Sequence, residues 1–476
     1  MVMMIYHRLK GLFKNKNTNQ SMFNAIESDL LLGYSSHRKI KNQKALCHAP
    51  FTNLYFGRQG NVLCCCHNRK HIVGTYPIQT ISEIWEGKKL KELQEYLKNN
   101  DLSSGCHVCK WDIEQQQFEN VKAIHFDPFK IDARFPVIME FELDNTCNLE
   151  CTMCSGEFSS TIRKNRDGKP PIQSVYDASF VEQLVPFIPS LATTRFSGGE
   201  PFLIDIYFDI WTKIVDLNPN CLIAVQSNGT VLNNRIKTIL EKGRFEIGIS
   251  LDGLTKSTFE GIRKNANFER VLENISYFSE YCARKNTCFR ISVCAMRENW
   301  KELPLYIDFC EKYNATLEIH NVWFPPSSAL WNLEKVLQNE IIEFLKIESW
   351  QKEKLKLPLN LRNYKIFIQQ LQTWHDTNRE IEPISDEFSE SFKLNLFQSI
   401  SSHIKNDKAL KADEAELKIQ EILNKATMVF DRFNDEQKVE KASQIMLQVP
   451  VELIVSSLTF ENEDRIYEQA VAFLND

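Results

Sequence analysis

The sequence lacks any continuous apolar run of the length, about 18 residues, that a membrane-spanning helix needs. His7, Arg8 and Lys10 interrupt the apolar N-terminal segment, which also has no small-residue cleavage site, so we expect no secretory signal. A formal net charge of −5 gives no overall basic excess, which argues against binding nucleic acid through bulk charge. These absences predict a cytoplasmic protein with no membrane partner and no nucleic-acid partner.

Cysteine is the residue type that this sequence has in unusual number. It contains 14 cysteines, most of them between Cys47 and Cys151, and none follows Cys310. Because no export is expected, metal or redox chemistry is a better interpretation than a disulfide framework.

The hydrophobic pattern divides the 476 residues into four regions. Six β-rich runs alternate with helical runs between residues 136 and 323, which predicts a parallel sheet with right-handed crossovers. The predicted fold class is therefore α/β, a partial (β/α)6 barrel of the TIM type with its site at the carboxyl ends of the strands. The predicted regions are an N-terminal arm over 1–44, a cysteine-rich module over 45–125, the barrel over 126–325 and an all-helical C-terminal domain over 326–476.

The most specific motif is the loop Cys147-Asn-Leu-Glu-Cys151-Thr-Met-Cys154, which directly follows the first predicted barrel strand. Three thiolates on one loop can hold three irons of a cubane cluster, and the fourth iron is then available to a substrate or cofactor. The alternative interpretation is a zinc site that lacks its fourth ligand.

A Cys-x3-Cys-x2-Cys loop after the first strand of such a series resembles the radical S-adenosylmethionine (SAM) superfamily, and later motifs agree in order. Glu200 follows a glycine pair after the second strand, and Ser-Asn-Gly and Ser-Leu-Asp-Gly sequences end the third and fourth strands. The resemblance implies that SAM contacts Met153, Gly198, Gly199, Glu200, Ser227, Asn228, Ser250, Asp252 and Arg263. From the residues alone, Glu200 could bind an ammonium and Arg263 a carboxylate. Taken singly, the glycines could instead form a tight turn and Glu200 could be a solvated loop charge.

A second cysteine group precedes the barrel, and Cys106 and Cys109 have the two-residue spacing of a metal knuckle. The group resembles the SPASM or twitch module, which implies an auxiliary 4Fe–4S cluster on Cys47, Cys65, Cys106 and Cys109. In most relatives this module follows the barrel. Cys64 and Cys66 stay open as alternatives to Cys65. Structural zinc is the competing interpretation, in which one of four histidines could replace a cysteine: His48, His67, His71 or His107. If they bind no metal, these histidines are expected at the surface.

Strand alternation separates apolar residues, which face the helices, from polar residues, which face the lumen. The lumen residues predicted in this way are Glu140, Glu142, Arg290, Ser292, Cys294, Glu318 and His320; the alternative is that they are charges exposed at strand ends. Cys294 is a candidate for returning a hydrogen atom to a substrate radical, or is a packed thiol. Cys221, Cys282, Cys288 and Cys310 are expected to be buried structural thiols. Ser82 is expected to begin a helix that continues through Leu97.

The resemblance implies a radical SAM enzyme in which a reduced cluster cleaves SAM to a 5′-deoxyadenosyl radical that abstracts a substrate hydrogen. A barrel paired with a twitch-like module suggests a ribosomally made peptide or protein as substrate, and flavodoxin or ferredoxin as reductant. The alternatives are a radical SAM enzyme acting on a small molecule or RNA, and a non-catalytic zinc-binding interaction protein.

Overall fold

The computed structural model describes most of the chain in several stretches. They are residues 44–114, 116–129, 134–322, 325–351, 358–377, 392–405 and 412–447, together with 26, 28–38, 40, 131 and single positions between 451 and 471. Most of the predicted N-terminal arm lies outside these residues, although Ser28–His37 forms a helix whose Tyr34 is buried.

A nine-stranded sheet organises the described residues. In chain order the strands are β1 Asn53–Gly57, β2 Asn61–Leu63, β3 Gly74–Thr75, β4 Ile138–Glu142, β5 Glu150–Cys151, β6 Thr193–Phe196, β7 Leu222–Ser227, β8 Arg244–Ser250, β9 Arg263–Lys264, β10 Phe289–Ala295 and β11 Thr316–Asn321. The order across the sheet is β11-β10-β8-β7-β6-β4-β1-β2-β3, while β5 and β9 form a separate two-stranded ribbon. The six strands from β4 to β11 in this sheet are all parallel, which confirms the predicted partial barrel.

Helices connect the strands and continue beyond the barrel. They are α1 Ser28–His37, α2 Ala49–Thr52, α3 Ile81–Trp85, α4 Lys88–Lys98, α5 His107–Glu114, α6 Ser160–Asn165, α7 Ala178–Leu184, α8 Asp205–Leu217, α9 Asn234–Lys242, α10 Lys256–Ile262, α11 Phe268–Lys285, α12 Leu305–Lys312, α13 Lys335–Gln351, α14 Pro358–Thr377, α15 Phe392–Lys405, α16 Ala412–Phe430 and α17 Glu436–Leu447. Among the described residues, no helix combines the length and apolar character that a membrane crossing would require.

The helix predicted to begin at Ser82 is two helices, and its N-cap is Thr80. The Thr80 side chain accepts from the backbone N–H of Glu83, whose carboxylate bonds back to Thr80, so the two residues form a capping box. The chain then turns at Gly87 and begins α4, in which Leu90, Leu93 and Leu97 are buried.

The cysteine-rich module joins the barrel sheet through β1, which pairs in parallel with the first barrel strand β4. Asn53 lies opposite Ile138 and Gly57 lies opposite Glu142. On the helix side of the sheet, the rings of Phe56 and Phe141 stack with their centroids 5.5 Å apart. The module is therefore an extension of the barrel sheet, a feature that the sequence analysis did not predict.

The C-terminal helices form a hydrophobic core of their own. One continuous core includes the barrel, the cysteine-rich module and the helices as far as Trp374. A second begins at Leu396 and contains an apolar stripe of α16, in which Ile422, Ala426 and Phe430 are buried. The helical pattern predicted after residue 326 is confirmed wherever the structure describes it.

Candidate functional site

The three-cysteine loop leaves the carboxyl end of β4 and is held by the start of α6. Ser159 caps this helix and its hydroxyl also donates to the carbonyl of Leu149 at 2.7 Å. The hydroxyls of Ser160 and Thr161 both donate to the carbonyl of Cys147, at 3.2 and 2.5 Å. The loop is therefore anchored through the backbone carbonyls of Cys147 and Leu149.

Each of the three thiols lies in a buried or half-buried position. Burial raises the pKa of all three thiols, that of Cys151 to about 11 and that of Cys154 to about 12. Neighbouring cysteines of the loop further raise the pKa values of Cys151 and Cys154. Three thiols that lie close enough to influence one another fit a metal-cluster site, in which bound metal would hold them as thiolates.

The predicted glycine pair packs directly on the backbone that leads to Cys147. Gly199 donates to the carbonyl of Asp144 at 3.0 Å, and a Cβ placed on Gly199 would lie 2.1 Å from the carbonyl oxygen of Thr146. Gly198 has φ +122°, a conformation that L side chains rarely adopt. Glycine is thus required at both positions by the approach of two loops.

Glu200 is fully buried, and its carboxylate joins the glycine loop to the end of β7. It accepts hydrogen bonds from the N–H of Phe202 at 3.1 Å, the hydroxyl of Ser227 at 2.8 Å and the N–H of Asn228 at 2.6 Å. Burial raises its pKa to about 7 despite these donors. A carboxylate has about four acceptor positions. Glu200 therefore keeps capacity for one more donor, as the predicted contact to an ammonium requires.

The end of β7 also reaches the cysteine loop. The Asn228 amide donates to the side-chain oxygen of Asn148 at 3.0 Å and lies 3.9 Å from the sulfur of Cys147. Thr230 contacts both asparagines. Asn148 and Thr230 were not predicted as site residues, although Asn148 lies within the cysteine motif itself.

The remaining predicted cofactor residues lie on the other side of the loop. Cys151 in β5 pairs with Arg263 in β9, and Arg263 also forms an ion pair with the buried carboxylate of Asp252. Met153 and Cys294 pack beside a small apolar cluster that contains Met296. Ser250 accepts a hydrogen bond from Gln226, across the neighbouring strand, at 2.9 Å.

The second cysteine group lines one cavity. Its cysteines are Cys47, Cys64, Cys65, Cys106 and Cys109, and Asn68, Lys122 and Phe126 also border it. The amide of Asn68 donates to the sulfur of Cys106 at 3.3 Å. Burial raises the pKa of Cys47 to about 12 and also raises those of Cys106 and Cys109. A cavity bordered by five thiols suits a thiolate-ligated cluster or a thiolate-bound metal ion.

The three consecutive cysteines occupy different surroundings. The thiol of Cys64 hydrogen-bonds to Cys65 and lowers its pKa, whereas the pKa of Cys64 itself is raised. Cys66 does not border the cavity; burial raises its pKa to about 11, and Glu140 of the barrel is the next largest influence. By position, Cys64 and Cys65 are both candidate ligands and Cys66 is not, so the choice of Cys65 stays a prediction.

The four histidines considered as alternative zinc ligands are placed differently. His48 is buried, so the expectation of a surface position is wrong for it, because it is the N-cap residue of α2, a helix whose own residues are all buried. His67 and His71 are half-buried, and His71 contacts Ser104. His107 begins α5, and its side chain lies outside the described residues. No set of three His, Cys, Asp or Glu side chains in the described part of the chain converges as on a single metal ion.

Two of the predicted lumen residues, Glu140 and Glu142, form hydrogen bonds or ion pairs with side chains of the cysteine-rich module. Glu142 accepts from the hydroxyl of Tyr55 at 2.6 Å and pairs with Arg58 at 2.9 Å and Arg69 at 3.3 Å. Glu140 accepts from Asn53 at 2.7 Å, and the same Asn53 amide donates to the carbonyl of Cys64. Both glutamates are buried rather than exposed at strand ends, and their partners were missed because they come from a distant segment.

The other lumen residues form a polar wall on β8, β10 and β11. Arg290 pairs with Glu246 and lies 3.5 Å from Glu318, which also accepts from Ser292 at 3.1 Å. The side chain of His320 is 56% exposed and 3.8 Å from Glu318. This side of the barrel therefore presents charges of both signs.

The expectation of buried structural thiols holds for three of four cysteines. Cys221, Cys282 and Cys310 are buried, whereas Cys288 at the start of β10 is half-buried, because its side chain is on the lumen face near Thr316.

Comparison with known proteins assigns the class. The fold is a partial barrel with three cysteines after its first strand and a second cysteine group beside it, as in iron–sulfur enzymes that bind SAM. Residues 142–310 match the family model described as "Radical SAM superfamily", and residues 47–110 match "Iron-sulfur cluster-binding domain", the SPASM model. The chain thus carries a radical SAM domain over residues 142–310 and, before it, a SPASM domain over residues 47–110. The cofactors of these domains are 4Fe–4S clusters and SAM.

Similar curated proteins have different activities. A probable GTP 3′,8-cyclase from Methanocaldococcus jannaschii is 26% identical over 38% of this chain and 57% of its own length. A cysteine-type anaerobic sulfatase-maturating enzyme from Clostridium novyi is 31% identical over 30% of this chain and 40% of its own length. The matches thus span about half the length of these relatives.

Solved structures with similar folds differ strongly in sequence. The structure described as native anSMEcpe with bound AdoMet has a TM-score of 0.35 and 16% identity, over 55% of this chain and 66% of that chain. Streptococcus suis SuiB bound to SAM has a TM-score of 0.36 and 12% identity, over 57% of this chain and 62% of that chain.

The donor sets on both sides of the barrel fit the cofactors of this class. Three thiols that form no disulfide, a glycine cradle and a buried carboxylate meet at the carboxyl end of β4, and five thiols border the second cavity. Cys147, Cys151 and Cys154 would hold the SAM-binding cluster; Cys47, Cys65, Cys106 and Cys109 would hold the auxiliary one. These assignments stay predictions.

Proposed function

We propose that this protein is a radical SAM enzyme that modifies a ribosomally made peptide or protein by abstracting a hydrogen atom. When bound, a reduced cluster with SAM supplies the 5′-deoxyadenosyl radical. The observation that carries the proposal is the meeting of the three-cysteine loop with Gly199 and Glu200 at the carboxyl ends of β4, β6 and β7. Glu200 and the glycine backbone would orient the methionyl end of SAM, and the buried loop would exclude water from it.

The peptide assignment is supported by the architecture around the lumen. The auxiliary cysteines adjoin the amino end of β1, since Asn53 at its first position contacts Cys64, whereas the Cys147 loop follows the carboxyl end of β4. On β10 and β11 the lumen wall carries Arg290, Glu318 and His320, which can hold both charged side chains and backbone groups of a peptide. The name of the sulfatase-maturating relative also indicates a protein substrate, for that enzyme.

A nucleotide is the second candidate substrate, because several relatives are named as GTP 3′,8-cyclases. Lys122 and Arg195 are suitable cations. Both influence the pKa of His125, which burial lowers to about 4, and neither forms an ion pair with another described residue. A nucleotide substrate would use these two cations as contacts for its phosphates.

Metal analysis tests the class of the protein before its substrate. Anaerobically reconstituted protein is expected to hold about eight irons and eight sulfides, as two cubanes require. The variant Cys147→Ala/Cys151→Ala/Cys154→Ala should retain about half. Stoichiometric zinc without iron would instead favour the non-catalytic interaction protein.

Substrate class is tested by mass spectrometry of candidate peptides, beginning with those encoded beside the gene, after incubation with SAM and reduced flavodoxin. A mass change that accompanies 5′-deoxyadenosine supports the peptide assignment. Formation of 5′-deoxyadenosine only in the presence of GTP or RNA, with no peptide modified, would contradict it while leaving the radical chemistry intact.

A further inference from the structure

Arg263 lies directly against one of the three cysteines of the loop. It is the first residue of β9 and pairs across the two-stranded ribbon with Cys151 in β5. Its Nη1 donates to the sulfur of Cys151 at 3.7 Å, within the range of hydrogen bonds to sulfur. The side chain is only 9% exposed, so water does not screen this contact.

Asp252 fixes the other end of the guanidinium. The Nη2 of Arg263 lies 2.6 Å from Oδ2 of Asp252, whose side chain is completely buried. Oδ1 of Asp252 in turn accepts from the backbone N–H of Cys294 at 2.7 Å, and the amide of Asn299 donates to the Asp252 carbonyl at 2.9 Å. The guanidinium is therefore held between a cysteine thiol and a carboxylate that is itself anchored to β10.

A buried ion pair of this kind is not explained by stability. Moving two charges out of water costs several kcal/mol per ion, and packed apolar side chains of similar volume are often at least as stable. Here the pair also leaves Nε of Arg263 buried without a hydrogen bond among the described residues, which adds a further cost. A role that requires charge beside Cys151 accounts for both features.

We propose that Arg263 is a positioning residue that donates to the Cys151 thiolate and, together with Asp252, sets the reduction potential of the cluster. The inference rests on the proposed function, namely that Cys151 is a cluster ligand. A hydrogen bond from a cation withdraws electron density from the ligand sulfur, so it favours the reduced cluster and raises its potential. The carboxylate opposes this effect and limits its size. This role differs from the predicted contact between Arg263 and the carboxylate of SAM.

The two residues of the pair should shift the potential in opposite directions. Arg263→Gln removes the cation and is expected to make the cluster harder to reduce, whereas Asp252→Asn removes the anion and is expected to make it easier. Arg263→Lys keeps the charge without the forked geometry, so its potential should lie between those of Arg263→Gln and the natural protein. The readout is an anaerobic redox titration followed by electron paramagnetic resonance, in which the cluster whose signal changes on addition of SAM is followed separately.

The auxiliary cluster is the internal reference, because its potential should not move in any of the three variants. Unchanged potentials of the SAM-responsive cluster in iron-replete variants would overturn the proposal. If Arg263→Gln retains no iron at this site, the proposal is tested with Asp252→Asn alone. If the potential of the SAM-responsive cluster does not rise in Asp252→Asn, the proposal is contradicted. Weaker SAM binding with unchanged cluster potentials would instead support the predicted contact between Arg263 and the carboxylate of SAM. Failure of the proposed function is seen separately, as unchanged iron content when Cys147, Cys151 and Cys154 are replaced.

Discussion

At the scale of single residues, Gly199 gives the strictest test of the candidate site. A Cβ at this position would lie 2.1 Å from the carbonyl oxygen of Thr146 and 2.6 Å from the carbonyl carbon of Asn145, and neither backbone atom can move independently of the cysteine loop. We therefore expect Gly199→Ala to lose the iron held by Cys147 and its neighbours while keeping the auxiliary iron. Iron analysis measures this. Gly261→Ala in α10 is the matched control, since its Cβ would meet nothing within 4 Å.

Glu200 is predicted to contribute to cofactor affinity rather than to cluster assembly. Glu200→Gln keeps the side-chain size but removes the negative charge, so loss of a charge-assisted contact to the ammonium should weaken SAM binding by about 1.5–3 kcal/mol. Equilibrium binding of SAM to the reconstituted protein measures this change. Asp205→Asn, at an exposed carboxylate that begins α8, is expected to leave the affinity unchanged. Equal affinity of the Glu200 variant and the natural protein would contradict the assignment.

The three consecutive cysteines should respond differently to replacement. Cys65→Ser is expected to lose the auxiliary iron, because the thiol of Cys65 borders the cavity and its pKa is lowered by Cys64. Cys66→Ser should retain that iron, because its side chain lies outside the cavity lining. Iron and sulfide analysis of both variants separates the two outcomes. Loss of iron from Cys66→Ser together with its retention in Cys65→Ser would reverse the ligand assignment.

At the scale of elements, strand β1 determines whether the cysteine-rich module can be separated from the barrel. Phe56 is completely buried and contacts Phe141 of β4 and Phe180 of α7. Phe56→Ala should therefore lower the stability of the whole barrel by about 3–5 kcal/mol, within one cooperative unfolding transition. Thermal unfolding followed by circular dichroism checks this, with Ile78→Ala at an 83% exposed side chain as control. An early transition confined to the module would contradict it.

The barrel strands could be predicted because each is a local pattern. The alternation of apolar and polar residues in 136–143 and in the five later runs can be recognised without information from distant segments. It also predicted that the cysteine loop follows the end of a strand. Strand β1 was missed even though Leu54 and Phe56 alternate with Asn53 and Tyr55, because it lies outside the strand–helix series and its partner β4 is distant in the chain. The partners of Glu142 could not be predicted, because Tyr55 and Arg58 are more than 80 residues away in the chain.

At the scale of the whole molecule, the two cysteine sites lie at opposite ends of the same strands. Asn53 and Ile138 begin β1 and β4 beside the auxiliary cysteines, and Glu142 ends β4 shortly before Cys147. Four residue steps of a parallel strand span about 13 Å, which is a feasible separation between the ends of a substrate lumen. Arg58 strengthens this connection, because its guanidinium pairs with Glu142 and lies 4.1 Å from the ring centroid of Phe158, just beyond the cysteine loop.

The C-terminal helices should be dispensable for both cysteine sites. The core that contains the barrel and the cysteine-rich module ends at Trp374, and the helices from Leu396 onward pack around a core of their own. A chain that ends after Thr377 is therefore expected to fold, to hold as much iron as the full chain and to bind SAM with the same affinity. If this shortened chain also modifies a peptide substrate, the C-terminal helical region is not needed to recognise the substrate. If modification alone is lost, the region binds the substrate. Loss of iron from the shortened chain would contradict the separation of the two cores.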